Sequence, residues 1–514
     1  MKKTILSFCG AILLMFTISS CNKDNDMIIS SLSEPGETNE GTVSTSTNDI
    51  YLISNGTKLE KFNLSNFDGN SPSSSNSAYF TGLQPGETIL GIDFRPGTGQ
   101  MYGLGSTSRI YIINPVTGAS RMVGAGPFTP ALSGTLAGFD FNPTVDRMRV
   151  VTNTGQNLRI NPETGAVIAD ANINSQASAQ ISSVAYINNF AGSTSTALYD
   201  IDIIGKKLYK QDPPNNGTLV SIGDLNLNID GEGGFDIGPN GQALGIYKVN
   251  NVPTVFEVNL STGAAAVIAT FPGTEFNALA IYTSSVAYAT TTANQMLILS
   301  LENNNTITKT ITGLASGETI VGLDMRPLNG QLYALGSNSN VYTINSASGA
   351  ATLAFNINPP IPGTTFGFDF NPVVDRIRIL SNTGENRRVN PNDGAVIVDG
   401  SLNPGSPMIS SAAYSNNFAG TTSTTLFAID FSNNKLYHVI PPNAGTLQEV
   451  LTLNFDISDV NGFDIGGTSN NLFAVLNSDS QLSLNRINTK TGRLTKTRSL
   501  GNVELTGLAI GLGF

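Results

Sequence analysis

Tryptophan is absent from the 514 residues, histidine occurs once, and the two cysteines, Cys9 and Cys21, both lie near the start. Beyond residue 21 the chain therefore has no disulfide, no thiolate metal site and no cysteine nucleophile. The missing tryptophan removes the strongest sugar-stacking and cation–π surface, although 14 Tyr and 25 Phe remain. Charge is scarce as well: 27 Lys+Arg and 38 Asp+Glu make up 13% of the chain, about half the ~25% of an ordinary soluble domain. A net charge of −11, with no basic cluster, gives a phosphate backbone nothing to bind, so no nucleic-acid partner is expected.

What is present is Asn, Ser, Thr, 53 Gly and a hydrophobic content of 40%, the makeup of a globular, turn-rich chain able to bury a core. Lys2 and Lys3 precede an apolar run from Thr4 to Ser19 that is too short for a comfortable membrane span and reads as a signal peptide. Ile18-Ser19-Ser20-Cys21 resembles a bacterial lipobox, which makes residues 1–20 the leader and Cys21 the lipidated first residue. Acyl chains there would anchor the protein without spanning the bilayer. Lys23-Asp24-Asn25-Asp26 looks like the charged surface-export signal of Bacteroidota lipoproteins, or is merely a solvated linker. The expected location is thus the outer membrane, surface-exposed or alternatively facing the periplasm. Residues 21–47 have no hydrophobic period and read as a flexible tether with a reach of roughly 25–30 Å.

The body is written twice. Gly91-Ile92-Asp93-Phe94-Arg95-Pro96 returns as Gly322-Leu323-Asp324-Met325-Arg326-Pro327. GFDFNPTVDRMR from Gly138 returns as GFDFNPVVDRIR from Gly367, and Asn188 to Gly192 and Gly234 to Gly238 recur at Asn416 and Gly462. Two units follow, 48–283 and 284–514. Within them the pattern Asn-x-x-(Thr/Ser/Asp)-Gly recurs at 114–118, 161–165, 259–263, 345–349, 390–394 and 488–492 between β-rich runs. An Asn-initiated turn closed by a glycine at positive φ is hairpin punctuation.

Inner strands counted near residues 91, 138, 183, 234 and 277, and near 320, 367, 412, 462 and 505, give ten small sheets with no sustained helical period. The expected fold is all-β, a β-propeller. Asp49-Ile50-Tyr51-Leu52-Ile53 and Ala278-Leu279-Ala280-Ile281 are complementary ends of the first unit, and Val286-Ala287-Tyr288 and Gly507-Leu508-Ala509-Ile510 those of the second. This predicts two tandem five-bladed rings, the alternative being one ring of ten blades.

The strings GIDFRP, QMYGLGS, GFDFNPTVDRMRVVTNTGQNLRINPETG, NNFAG and GFDIG resemble the bacterial family called domain of unknown function 4394, over most of both units. The resemblance implies an exported β-rich protein and supplies no activity. The second unit departs from the first in Asn340 for Arg109 and Arg387 for Asn157.

Both units keep Asp93/Asp324, Asp140/Asp369 and Asp236/Asp464, each in a Gly-apolar-Asp-apolar pattern on an inner strand. Three carboxylates per ring either converge on the channel, to bind a cation or sugar hydroxyls, or point between blades and accept backbone hydrogen bonds. Arg95/Arg326 are kept too, and serve either as forks for an anionic ligand or as inter-blade ion pairs. Asp224-x-Asn226-x-Asn228-x-Asp230 lacks the calcium-loop glycine because Ile229 stands there. His438 faces Lys210 in the repeat, so no Ser-His-Asp triad is expected, and no nucleotide or metalloprotease motif occurs. No cofactor, dedicated metal motif or catalytic residue is assigned. Two classes remain: a non-catalytic module that binds a glycan, protein or small ligand, and a carboxylate-dependent glycan hydrolase or lyase.

Overall fold

The computed structural model describes residues 48–67, 72–176, 178–453, 460–478, 481–501 and 503–513. The signal peptide, the Cys21 lipidation site and the tether up to residue 47 lie outside the described residues. Among those described, secondary structure is antiparallel strand with three one-turn 3-10 segments, and no helix is long and apolar enough to cross a membrane.

The strands form ten four-stranded sheets. In the first ring the innermost strands of blades one to five are Phe276–Ile281, Ile89–Phe94, Ala137–Asn142, Ile181–Tyr186 and Ile229–Ile237. In the second they are Leu505–Ile510, Ile320–Met325, Phe366–Asn371, Ile409–Tyr414 and Val460–Ile465. Closure follows the complementary ends: Ile281 pairs with Ile50 and Leu279 with Leu52, while Ile510 pairs with Ala287 and Leu508 with Ala289. The last strand of each unit thus completes the sheet opened by its own first strands. The protein is two five-bladed propellers in tandem, and not one ring of ten.

The hairpin signature works as its chemistry requires. Asn114 Oδ1 accepts the amides of Val116 and Thr117 at 2.9 and 3.0 Å, and Gly118 closes the turn at φ 73°. Between blades, apolar side chains of neighbouring sheets interlock: Tyr102 meets Phe141 edge-on at 5.1 Å, and the second ring repeats the contact with Tyr333 and Phe370 at 5.1 Å. The rings touch each other as well. Tyr288 Oη donates to the Gly97 carbonyl at 2.9 Å, Arg121 to that of Leu328 at 2.6 Å, and Gly513 N to that of Thr98 at 2.9 Å.

Inner strands converge so closely that their glycines have no room for a side chain. A Cβ on Gly138 would sit 2.5 Å from the backbone nitrogen of Val184 in the next blade, and one on Gly234 would sit 2.3 Å from that of Leu279. Because the obstacle is backbone, relief needs a shift of a whole blade. Gly138→Ala is therefore expected to lower stability by about 1–3 kcal/mol, read as a lower urea midpoint with unchanged slope; an unaltered midpoint would contradict the close approach.

Candidate functional site

An innermost propeller strand has no neighbour on its axial side, so its inward amides need partners from elsewhere. In the first ring the amides of Phe94 and Phe141 donate to Asp93 Oδ1 and Oδ2, both at 2.7 Å. Tyr186 N donates to Asp140 Oδ1 at 3.2 Å, and Ile237 N and Ile281 N donate to Asp236 Oδ1 and Oδ2, both at 2.6 Å. These five amides belong to five different blades. Three carboxylates are the fewest whose six oxygens can serve them singly, and the remaining two blades carry Ala185 and Ala280 at the corresponding position. The sixth oxygen, Asp140 Oδ2, is buried and has no hydrogen-bond partner.

The second ring repeats the arrangement. Met325 and Phe370 donate to Asp324 at 2.6 and 2.7 Å, Tyr414 to Asp369 at 3.1 Å, and Ile465 and Ile510 to Asp464 at 2.6 and 2.5 Å. The geometry combines parts of the two sequence readings: the aspartates accept amides from the next blade, and their carboxylates converge on one another. In each ring the three carboxylates offer oxygens that lie within 4.8 Å of one another, and all six residues are at most 1% exposed.

Burial pushes every one of these carboxyls upward. Asp93 is raised by desolvation and then by the charge of Asp236, and Asp140 by desolvation and then by Asp93 and Asp236. Asp236 is pushed up to about 6 and Asp464 to about 7 by burial, against the lowering pull of their backbone amides. No Lys or Arg is among the main interactions that shift the first-ring trio.

A fourth polar group was not singled out in the sequence. Asn188 adopts a left-handed φ of 57°, Phe190 N turns back to its carbonyl at 2.8 Å, and the intervening Asn189 is wholly buried. Its side chain lies against Asp93, near enough for its amide hydrogens to favour the ionised carboxylate though short of regular hydrogen-bond geometry, and its carbonyl oxygen has no donor. Asn417 is its counterpart in the second ring, equally buried and equally unpartnered. The recurrence of Asn-Asn-Phe-Ala-Gly at 188 and 416 was the available signal.

The two arginine candidates lie apart from the carboxylate trios. Arg95 is 1% exposed and donates to Asp146 Oδ1 at 2.9 Å and Oδ2 at 2.5 Å, to Glu163, and to the Gly330 carbonyl of the other ring at 3.4 Å. Arg326 grips Asp375 at 2.8 and 2.5 Å and Asn392 at 3.0 Å. Both are inter-blade ties, with donors already engaged by protein. The unit comparison needs one correction: Asn157 and Asn386 are the equivalent pair, each accepting from the buried Arg149 or Arg378 at 2.7 or 2.9 Å, so Arg387 stands opposite Leu158 and not Asn157. Asp224 pairs with Lys207 at 2.6 Å. His438 packs edge-on against Phe427 at 4.5 Å, and burial lowers its pKa.

A second feature separates the rings. At one mouth of the second channel a small cavity of about 70 Å³, partly open to solvent, is lined by all five inner strands, among them Gly322, Gly367, Ser410, Ser411 and Gly507. The hydroxyls of Ser410 and Ser411 are buried without partners. Their first-ring counterparts, Ser182 and Ser183, bond the Tyr247 hydroxyl at 2.7 and 2.6 Å. Leu476 takes the place of Tyr247 in the second ring and has no hydroxyl to offer.

The raised carboxyls fix the sign of a pH effect. A carboxyl whose folded pKa lies above its unfolded value of about 3.9 binds its proton more tightly when folded, so it stabilises the fold below that value and loses the contribution as pH rises. With chelator present, so that only protons compete for the oxygens, stability is expected to fall between about pH 4 and pH 7, through the Asp236 and Asp464 values. Urea midpoints across that range check it, and a midpoint that climbs with pH would contradict it.

No curated protein matches the chain. Among solved structures, the Dos1 propeller aligns at 13% identity and a TM-score of 0.26, covering 62% of this chain and 82% of that one. PorZ of Porphyromonas gingivalis, described as an essential bacterial surface component of the type-IX secretion system, aligns at 13% identity and a TM-score of 0.25, covering 87% of this chain and 57% of that one. Neither likeness bears on function. One family model does match, over residues 63–280 and again over 295–509, and the chain belongs to that family, described as Domain of unknown function (DUF4394).

Proposed function

We propose that this is a lipid-anchored recognition protein of the cell envelope, tethered at Cys21 to the outer membrane and displayed on its surface. Its second ring receives a small neutral ligand, a glycan terminus or another polyol, at the channel mouth. The observation that carries the reading is the pair of buried, unpartnered hydroxyls of Ser410 and Ser411 in a solvent-open cavity. A buried hydroxyl without a partner costs about 1–3 kcal/mol, and a ligand hydroxyl entering the cavity would recover part of it.

The hydrolase or lyase reading draws support from the close, raised carboxyls of each trio, since an acid and a base need separated pKa values. Burial weighs against it. No carboxylate lines the second-ring mouth, and each of the six aspartates is engaged with backbone amides away from solvent. Binding without turnover is therefore the reading adopted.

Leu476→Tyr places in the second ring the phenol that covers the equivalent serines in the first. Ligand-observed NMR with a panel of neutral mono- and disaccharides is expected to show binding to the wild-type chain, weakened about tenfold or more in the variant, a loss of ~1.4 kcal/mol, with no product formed by either. Equal binding by both chains, or released product, would contradict the proposal.

A further inference from the structure

Three carboxylates in each ring lie within 4.8 Å of one another and are at most 1% exposed, and in the first ring no Lys or Arg is among the main influences on them. In the first ring backbone amides satisfy five of the six oxygens once each, but an ionised oxygen has a second lone pair, and Asp140 Oδ2 accepts from no amide and faces the carboxyl of Asp236. Five amide dipoles offset part of the charge. They do not cancel three full negative charges removed from water.

Two agents can relieve the repulsion, protons or a cation. A proton shared between Asp140 and Asp236 would satisfy the orphan carboxylate oxygen. It would leave Asn189 unexplained, because the amide of Asn189 is fully buried against Asp93 with its carbonyl oxygen lacking any donor. A cation accounts for both, since it draws carboxylate and amide oxygens together. The second ring carries the same four residues, with Asn417 in the same unpartnered state.

We propose that each ring holds one hard divalent cation on its axis, calcium in the first instance, ligated by Asp93, Asp140, Asp236 and Asn189 in the first ring and by Asp324, Asp369, Asp464 and Asn417 in the second. The donors are all oxygen, with no imidazole or thiolate, which selects calcium, magnesium or manganese over zinc and copper. Calcium–oxygen bonds of about 2.4 Å allow opposed donors to stand about 4.8 Å apart, against about 4.2 Å for magnesium. The oxygens of each trio lie within 4.8 Å of one another, a spacing either ion can bridge, and calcium is put first because its flexible coordination tolerates oxygens already held by backbone amides. Such an ion joins blades two, three and five directly and blade four through Asn189, reinforcing the closure of each ring.

Metal analysis of the intact chain by plasma mass spectrometry tests this, after exhaustive dialysis and then after refolding from chelator-containing urea with calcium chloride alone. The wild-type protein is expected to retain about two calcium ions, one for each cluster, and to melt at a higher temperature than its chelator-treated form. Asp140→Asn preserves shape and the acceptor for Tyr186, and is expected to leave about one ion. Asn189→Ala touches none of the five amide bonds, and is expected to weaken first-ring binding while the chain still folds. A wild-type chain without stoichiometric metal whose melting is indifferent to calcium would overturn the proposal. So would an Asn189→Ala chain with wild-type affinity in both rings.

Discussion

The inward amide of an innermost propeller strand is the constraint on which the rest of this structure depends. Each of the five blades in a ring brings one such amide to an axis that has no strand beyond it. Leaving one buried and unpaired costs about 1–3 kcal/mol. Five of them would rival the 5–15 kcal/mol by which a typical domain is stable at all. Side-chain carboxylates meet the need with the smallest number of residues, two amides to one aspartate, and so tie neighbouring blades together. The same solution buries three acids within 4.8 Å of one another; burial first, and at Asp93 and Asp140 the neighbouring carboxylates after it, raises their pKa values and gives the axis its affinity for positive charge. Architecture and chemistry are here one set of atoms.

Duplication preserved this centre and let its surroundings diverge. Both rings keep the three aspartates, the buried asparagine and the arginine tie between the second and third blades. What differs lies around them. Tyr247 covers a serine pair that Leu476 leaves uncovered, and Glu163, which joins Arg95, is replaced by the neutral Asn392 beside Arg326. Arg95 also reaches carbonyls of the second ring, so its greater burial and additional carboxylate partner belong together. Both units share the contact between rings, while the second keeps a cavity at its channel mouth.

Much of this was legible in the sequence because it rests on repetition and turn chemistry. The Asn-initiated hairpins, the ten inner strands and the ends that close each ring follow from residues whose local role is nearly unique, such as Asn114 with Gly118. The aspartates were legible as a set but not in their duty. Whether Asp93 faced the channel or the next blade was posed as a choice, and the strand geometry does both, since the next blade's amide itself points at the axis. Asn189 escaped notice because its importance comes from a left-handed residue before it and from complete burial, neither of which a sequence displays. Setting Arg387 against Asn157 was a slip of one residue, which the strand pairing corrects, since Asn157 lies beside Val151 and Asn386 beside the equivalent Leu380.

Residue-resolved amide hydrogen exchange tests the central claim most directly. If the carboxylates hold the rings closed, the amides of Phe94, Phe141, Tyr186, Ile237 and Ile281 exchange only through global unfolding, with the same free energy and denaturant dependence as the best-protected interior strands. Fast exchange at these five positions, through local opening that leaves the neighbouring strands protected, would show that the axis is solvated and that the aspartates do not carry the fold.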